Sequence, residues 1–144
     1  MKVADVLKTK GSIIKSIEPD ATIKELADRL RVEEVGALIV RSNRDEIEGI
    51  ITERDVVRGF GTYGGKLETM RVSDLMTRRV VTCSPEEPIA QVARIMTERR
   101  IRHLPVREAG QIVGIVSIGD VLKHRVDEMQ LEAAVLRDFA IARR

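Results

Sequence analysis

The chain says nearly the same thing twice, and this duplication restricts its folding more than any other feature. Gly49-Ile50-Ile51-Thr52-Glu53-Arg54-Asp55-Val56-Val57 returns as Gly114-Ile115-Val116-Ser117-Ile118-Gly119-Asp120-Val121-Leu122, an offset of 65 residues. Upstream, Pro19, Ile23, Leu26, Ala27 and Leu30 answer to Pro85, Ile89, Val92, Ala93 and Met96 at an offset of 66, so one connecting loop differs by a residue. Such self-similarity marks two copies of one supersecondary unit. A copy of about 65 residues is marginal as an isolated domain, so the two are expected to share a core.

Each copy opens on a short apolar run, Ile13-Ile14-Lys15-Ser16-Ile17 or Val80-Val81-Thr82-Cys83. A helix start follows. Thr22-Ile23-Lys24-Glu25 and Ser84-Pro85-Glu86-Glu87 both have the form of a capping box, the second with proline at the first helical position. Apolar residues then recur at helical spacing. Two strands come next in each copy, over 37–40 and 47–51, then 104–106 and 112–116, with turns at Asn43-Arg44-Asp45 and Glu108-Ala109-Gly110. A second helix closes the unit. The order strand, helix, strand, strand, helix, twice over, predicts an α/β (α+β) sandwich with pseudo-twofold symmetry. The expected division is residues 1–65, residues 66–125, and a helical extension over 126–144.

Between the copies, Gly59-Phe60-Gly61-Thr62-Tyr63-Gly64 satisfies GxGxxG, but it follows a helix rather than a strand. A dinucleotide fingerprint needs the reverse context, so the segment is read as an inter-repeat loop. In the extension, Val126, Met129, Ala133, Leu136 and Ala140 form a stripe expected to pack on the chain's own module. Leu131, Val135 and Phe139 offer a neighbouring face for a dimer.

Composition removes several functions. With 25 basic and 23 acidic residues there is no general pull toward nucleic acid, and two phenylalanines and one tyrosine give few stacking platforms for single strands. Arg94, Arg99, Arg100, Arg102 and Arg107 crowd around His103, as a local anion site or as a solvated face. The single cysteine, Cys83, excludes an internal disulfide and a zinc knuckle, and fits a reducing compartment. Met1 to Lys8 has no apolar leader core, and no stretch reaches the length of a membrane span. A soluble, cytoplasmic protein is expected. Two histidines, one cysteine and no nucleophile–base motif make a thin catalytic inventory, so an enzyme is not expected.

Thr52-x-x-Asp55 and Ser117-x-x-Asp120 stand where a strand hands over to a helix. One reading is structural: a hydroxyl N-cap with an acid three residues on stabilises the helix by about 1 kcal/mol. The other uses the same geometry for a ligand. A helix N-terminus offers free N–H groups to a phosphate, and the carboxylate can accept from a vicinal diol such as ribose O2′ and O3′.

These two signatures, the run Arg102-His103-Leu104-Pro105-Val106, the opening Asp74-Leu75-Met76-Thr77 and the tandem duplication together resemble a pair of cystathionine β-synthase (CBS) domains, the Bateman module. The resemblance spans about Val3 to Lys123. It implies a pseudo-symmetric module with clefts between the repeats, often paired as a homodimer, binding AMP, ADP, ATP, S-adenosylmethionine or NAD(H). Carried over by position, Asp55 and Asp120 would hold ribose, and Thr52 and Ser117 would contact phosphate. The base would lie near Ser16-Ile17 with Gly36-Ala37, or near Val81-Thr82 with His103 and Pro105. Arg54, Arg102 and His103 are the candidates for phosphate charge. An elongated dinucleotide would set its AMP half in a cleft and its remainder on the basic surface. Because Gly36-Ala37 replaces Arg102-His103, the copies are unequal, and the tighter site is expected at Ser117 and Asp120.

The leading function is therefore an adenine-nucleotide sensor read by a protein partner still to be identified. The alternative is a protein- or nucleic-acid-interaction scaffold that uses the arginines and the C-terminal helix without a small-molecule ligand.

Overall fold

In the computed structural model, which describes residues 1–11, 13–43 and 46–143, the chain is a mixed α/β protein. Its elements run α1 (Val3–Lys10), β1 (Ser16–Ile17), α2 (Ile23–Glu33), β2 (Ala37–Arg41), β3 (Ile47–Thr52), α3 (Glu53–Tyr63), a 3₁₀ turn (Gly64–Thr69), α4 (Val72–Leu75), α5 (Ile89–Arg99), β4 (His103–Glu108), β5 (Gln111–Ser117) and α6 (Ile118–Ala142). They form two compact units. One is Ile14–Val81; the other joins Met1–Ile13 to Thr82–Arg144. The units thus cut across the sequence spans 1–65 and 66–125, because the segment leading into each copy packs with the strands of the other.

Matching backbone bonds fix both leading segments. In the unit Ile14–Val81, Ile23 N–H donates to Met70, Val72 N–H to Ala21 and Ser73 N–H to Pro19, all at 2.9 Å. In the other unit, Ile89 N–H donates to Met1, Val3 N–H to Glu87 and Ala4 N–H to Pro85, at 2.9–3.0 Å. Val72, like Val3 and Val6, is wholly buried.

In the unit Ile14–Val81 the sheet order is β1-β2-β3, with β1 parallel to β2 and β2 antiparallel to β3. Ile17, Ile23, Leu26, Leu30, Leu38, Val40, Ile51, Leu67, Val72 and Met76 form its core. α2 starts where its capping box predicts: the Thr22 hydroxyl accepts the Glu25 N–H at 3.1 Å. The turn expected at Asn43-Arg44-Asp45 lies partly outside the described residues.

The other unit pairs β4 with β5, antiparallel, around the turn at Ala109 and Gly110. Both turn residues have positive φ, 51° and 78°, as a two-residue hairpin of the primed type requires. The strand expected at Val80-Val81-Thr82-Cys83 shrinks to one parallel bridge, Cys83 to Val106. The helix expected from Ser84 starts later, at Ile89, with Pro88 as its N-cap. Pro88 disfavours helical backbone at Glu87, so Ser84 to Glu87 closes a turn instead, Glu87 N–H donating to Ser84 at 3.2 Å.

Two further expectations are corrected. Gly59 to Lys66 is not a loop: α3 continues to Tyr63, and burial of Leu67 holds the 3₁₀ turn in place. α6 extends through the C-terminal segment as expected, but its stripe does not pack on the module. Val126, Met129 and Leu136 are 44, 54 and 68% exposed, and Ala133 and Ala140 are exposed as well.

Close approach explains the repeated glycine that opens each signature. A Cβ at Gly49 would stand 2.5 Å from the Thr77 carbonyl oxygen, just after α4; one at Gly114 would stand 2.7 Å from a methyl of Leu7 in α1. The first obstacle is backbone, the second a rotatable side chain. Gly49→Ala is accordingly expected to destabilise by about 1–3 kcal/mol and Gly114→Ala by less, an order that the urea midpoints of the two variants check.

Candidate functional site

Each unit presents one strand-to-helix junction built in the same way. In the unit Ile14–Val81, Ala37 lies opposite Thr52 in the antiparallel register, and the chain leaves β3 at Thr52 in extended conformation to begin α3. Asp55 Oδ2 accepts the Thr52 N–H at 2.9 Å and the Thr52 hydroxyl at 3.2 Å, while Thr52 Oγ1 accepts the Asp55 N–H at 3.4 Å. The Gly36 carbonyl accepts the Glu53 N–H at 2.9 Å, which ties β2 to the first turn of α3. Gly36, Ala37, Thr52 and Asp55 are thereby brought together, with Arg54 half-buried on the same turn. Ser16 and Ile17 stand farther along the sheet, paired with Ile39 and Val40, and Ile17 is buried in the core.

In the other unit, His103 lies opposite Ser117, and the Arg102 carbonyl accepts the Ile118 N–H at 2.8 Å. Asp120 Oδ2 accepts both the N–H and the hydroxyl of Ser117 at 2.9 Å, and Ser117 Oγ accepts the Asp120 N–H at 3.2 Å. Arg102, His103, Ser117 and Asp120 meet at this junction. Arg102 is exposed and His103 half-buried. Pro105 is buried two residues down β4, opposite Ile115, and its carbonyl accepts the Cys83 N–H at 3.0 Å, which brings Thr82 alongside. Val81 is the last residue of the unit Ile14–Val81 and Thr82 the first of the segment that follows. Arg107 does not turn toward His103: it donates to the Gly110 carbonyl at 3.1 Å, at the far end of β4.

Two residues that sequence reasoning missed complete the second junction. Lys10, at the end of α1, places Nζ 2.7 Å from Asp120 Oδ2 and 2.9 Å from the Ile115 carbonyl oxygen. Nothing local signals this contact, because 110 residues separate the partners. His124 is buried, with Nδ1 2.9 Å from the Asp120 carbonyl oxygen; a carbonyl only accepts, so Nδ1 carries the proton. Its i, i+4 spacing from Asp120 was the available signal. Burial works to raise the Asp120 carboxyl, but the hydrogen bonds from Lys10 and from the N–H and hydroxyl of Ser117 outweigh it and hold the group below the ordinary aspartate value.

The CBS domain profile matches residues 3–61 and 72–127. The chain belongs to the CBS domain family. It carries a tandem CBS pair, and each matched span contains one Thr/Ser–Asp junction. It is 33% identical over 145 residues to the CBS domain-containing protein CBSX3, mitochondrial, of Arabidopsis thaliana, covering 95% of this chain and 70% of the relative. The solved CBS-domain containing protein ATU1752 of Agrobacterium tumefaciens superposes with a TM-score of 0.85 at 39% identity, over 87% of this chain and 99% of that one. The CBS domain pair of protein MJ0100, solved in complex with 5′-methylthioadenosine and S-adenosyl-L-methionine, superposes with a TM-score of 0.77 at 25% identity, over 89% and 98%.

Other chemistry in this CBS pair is muted. Burial, reinforced by the charge of Glu87, pushes the Cys83 thiol up to about 12, so it stays protonated at neutral pH and is a poor nucleophile. Among the described residues, no helix is long and apolar enough to cross a membrane, and no cluster of His, Cys, Asp and Glu could hold a metal ion.

The depressed Asp120 carboxyl links stability to pH. Its unfolded value is about 3.9, so its contribution is complete above about pH 4 and is lost as pH falls through the lower folded value. Asp120→Asn, which can still cap α6, is expected to flatten the acid limb of stability against pH, measured by urea unfolding between neutral pH and pH 3.

Proposed function

We propose that the protein is a non-catalytic regulatory module whose two junctions, Thr52–Asp55 and Ser117–Asp120, each bind the ribose and phosphate of an adenosine-containing ligand. The observation that carries this reading is the repeated geometry, one carboxylate and one hydroxyl held together at the N-terminus of α3 and again at that of α6. Helix N-terminal amides and dipole stabilise a phosphate, and an ionised carboxylate takes a diol in charge-assisted bonds. The adenosyl ligands of the similar MJ0100 pair support the ligand class. Within that class we favour AMP or another adenine nucleotide (ADP, ATP), then NAD(H), with S-adenosylmethionine behind them. Gly36, Ala37, Ser16 and Ile17 would line the base at the first junction, and Thr82, His103 and Pro105 at the second, with Arg54 and Arg102 supplying positive charge at their own junctions. The buried, protonated Cys83 and the carbonyl-bound His124 support a regulatory rather than a catalytic role. Our reading keeps the protein in the cytoplasm, although the Arabidopsis relative is mitochondrial by name.

We also read the protein as a homodimer with a further protein partner. Support comes from apolar side chains left exposed on corresponding helices, Val57, Phe60 and Tyr63 on α3 and Ile118, Leu122 and Val126 on α6. Sedimentation velocity is expected to give the mass of two chains, and Phe60→Lys to shift it toward one. The exposed Leu131, Val135 and Phe139 favour the scaffold as a second reading, in which no small molecule is needed.

Calorimetric titration with AMP, ATP, NADH and S-adenosylmethionine separates the two. If each aspartate accepts two charge-assisted bonds of about 1.5–3 kcal/mol, Asp55→Ala and Asp120→Ala each weaken binding at their own junction by roughly two to four decades. A purely capping role instead costs about 1 kcal/mol of stability and leaves affinity unchanged. No heat from the folded wild-type protein with any of the four ligands rejects the nucleotide reading in favour of the scaffold.

A further inference from the structure

Lys10 stands outside both sequence signatures, yet it makes the closest contact at the second junction. Its ammonium has three protons. Among the described residues one goes to Asp120 Oδ2 at 2.7 Å and one to the Ile115 carbonyl at 2.9 Å, which leaves one donor for a further acceptor. The side chain is 40% exposed, so the ammonium is reachable from solvent. Oδ2 meanwhile receives three donors, from Lys10 and from the N–H and hydroxyl of Ser117, which fill its acceptor capacity and direct a ligand diol to Oδ1. The junction as it stands joins a carboxylate that is ready for a diol to a cation that neutralises it.

Without that cation, a phosphate next to a diol on Asp120 would face the carboxylate's negative charge with the helix amides and the exposed Arg102 in compensation. With it, the same phosphate meets an ammonium already anchored by two hydrogen bonds, so little side-chain freedom is lost on binding. We infer that Lys10 is the specificity-determining residue of the Ser117–Asp120 junction: it donates its remaining N–H to the ligand's phosphate and so selects a phosphorylated nucleoside over the uncharged one. This inference rests on the nucleotide reading above and adds to it the chemical feature that is read. It also separates the two junctions, because Asp120 has its own tethered lysine from α1, a helix outside its sequence signature.

The test compares AMP with adenosine by calorimetry on the full chain, as wild type, Lys10→Met, Lys10→Arg and Asp120→Ala, each shown by thermal unfolding to be folded. Lys10→Met is expected to weaken AMP by about tenfold or more while adenosine changes by less than about threefold, and Lys10→Arg to recover most of the AMP affinity. An equal loss for both ligands would make Lys10 a staple between α1 and β5, and tighter adenosine binding in Lys10→Met would make it a plug on Asp120. Either result overturns the inference and leaves the nucleotide reading intact. AMP binding that Asp120→Ala leaves unchanged overturns the inference as well, and with it the nucleotide reading of this junction, since the ligand then sits elsewhere. Wild-type protein that binds neither AMP nor adenosine removes both the reading and the inference.

Discussion

The arrangement depends on a handful of backbone hydrogen bonds between the turns ahead of α2 and α5 and the segment that leads into the other copy. Val72 and Ser73 reach the carbonyls of Ala21 and Pro19, and Val3 and Ala4 reach those of Glu87 and Pro85. These amides belong to first turns of helices, where no intrahelical partner exists. The turns ahead of α2 and α5 supply acceptors that would also lack partners. Pairing the two sets satisfies both, and it seats Val72 and Val3 in wholly buried positions. Everything nearer the candidate site follows from that seat. α4 closes on β3 at Gly49, α1 closes on β5 at Gly114, and the end of α1 carries Lys10 to Asp120.

The two junctions show how one geometry serves stability and recognition together. A capping box uses one carboxylate oxygen and the hydroxyl, and it fixes the rotamers of both side chains. At the second junction the Asp120 carboxylate is in addition held ionised, at a place where helix amides already favour anions. Lys10 makes the junctions chemically unequal although their backbone geometry is alike. A duplicated sequence therefore does not give duplicated chemistry, because a side chain from outside the repeated motif is added at one of them.

Much of the fold was legible, and the parts that were not share a cause. Short apolar runs bounded by polar turns place β2, β3, β4 and β5 to within a residue or two, since both are local signals. Thr22 marked the start of α2 for the same reason. The start of α5 differs from the expectation because Ser84-Pro85-Glu86-Glu87 imitates a cap, while Pro88 disfavours helical backbone just before it. The stripe on α6 was read as a packing face because periodicity reports amphipathicity and not whether anything lies opposite. Thr52, Asp55, Ser117 and Asp120 were found as pairs, because three-residue spacing at a strand end is visible in one dimension. Lys10 was not, since its place depends on where a distant helix docks, and Arg107 was misjudged because its guanidinium goes to a nearby turn.

Non-contiguous units carry a consequence for the origin of such a chain. A single copy of the repeat, released from its twin, would keep a leading helix that fits the strands of another molecule better than its own. Two such molecules would satisfy each other by reciprocal exchange, each lending the segment the other lacks. Fusion of two copies turns that exchange into an intramolecular one and removes its dependence on concentration. Once the copies are joined, each leading segment can diverge alone, so Lys10 can be drawn to Asp120 while Arg79, at the corresponding place after α4, is left exposed.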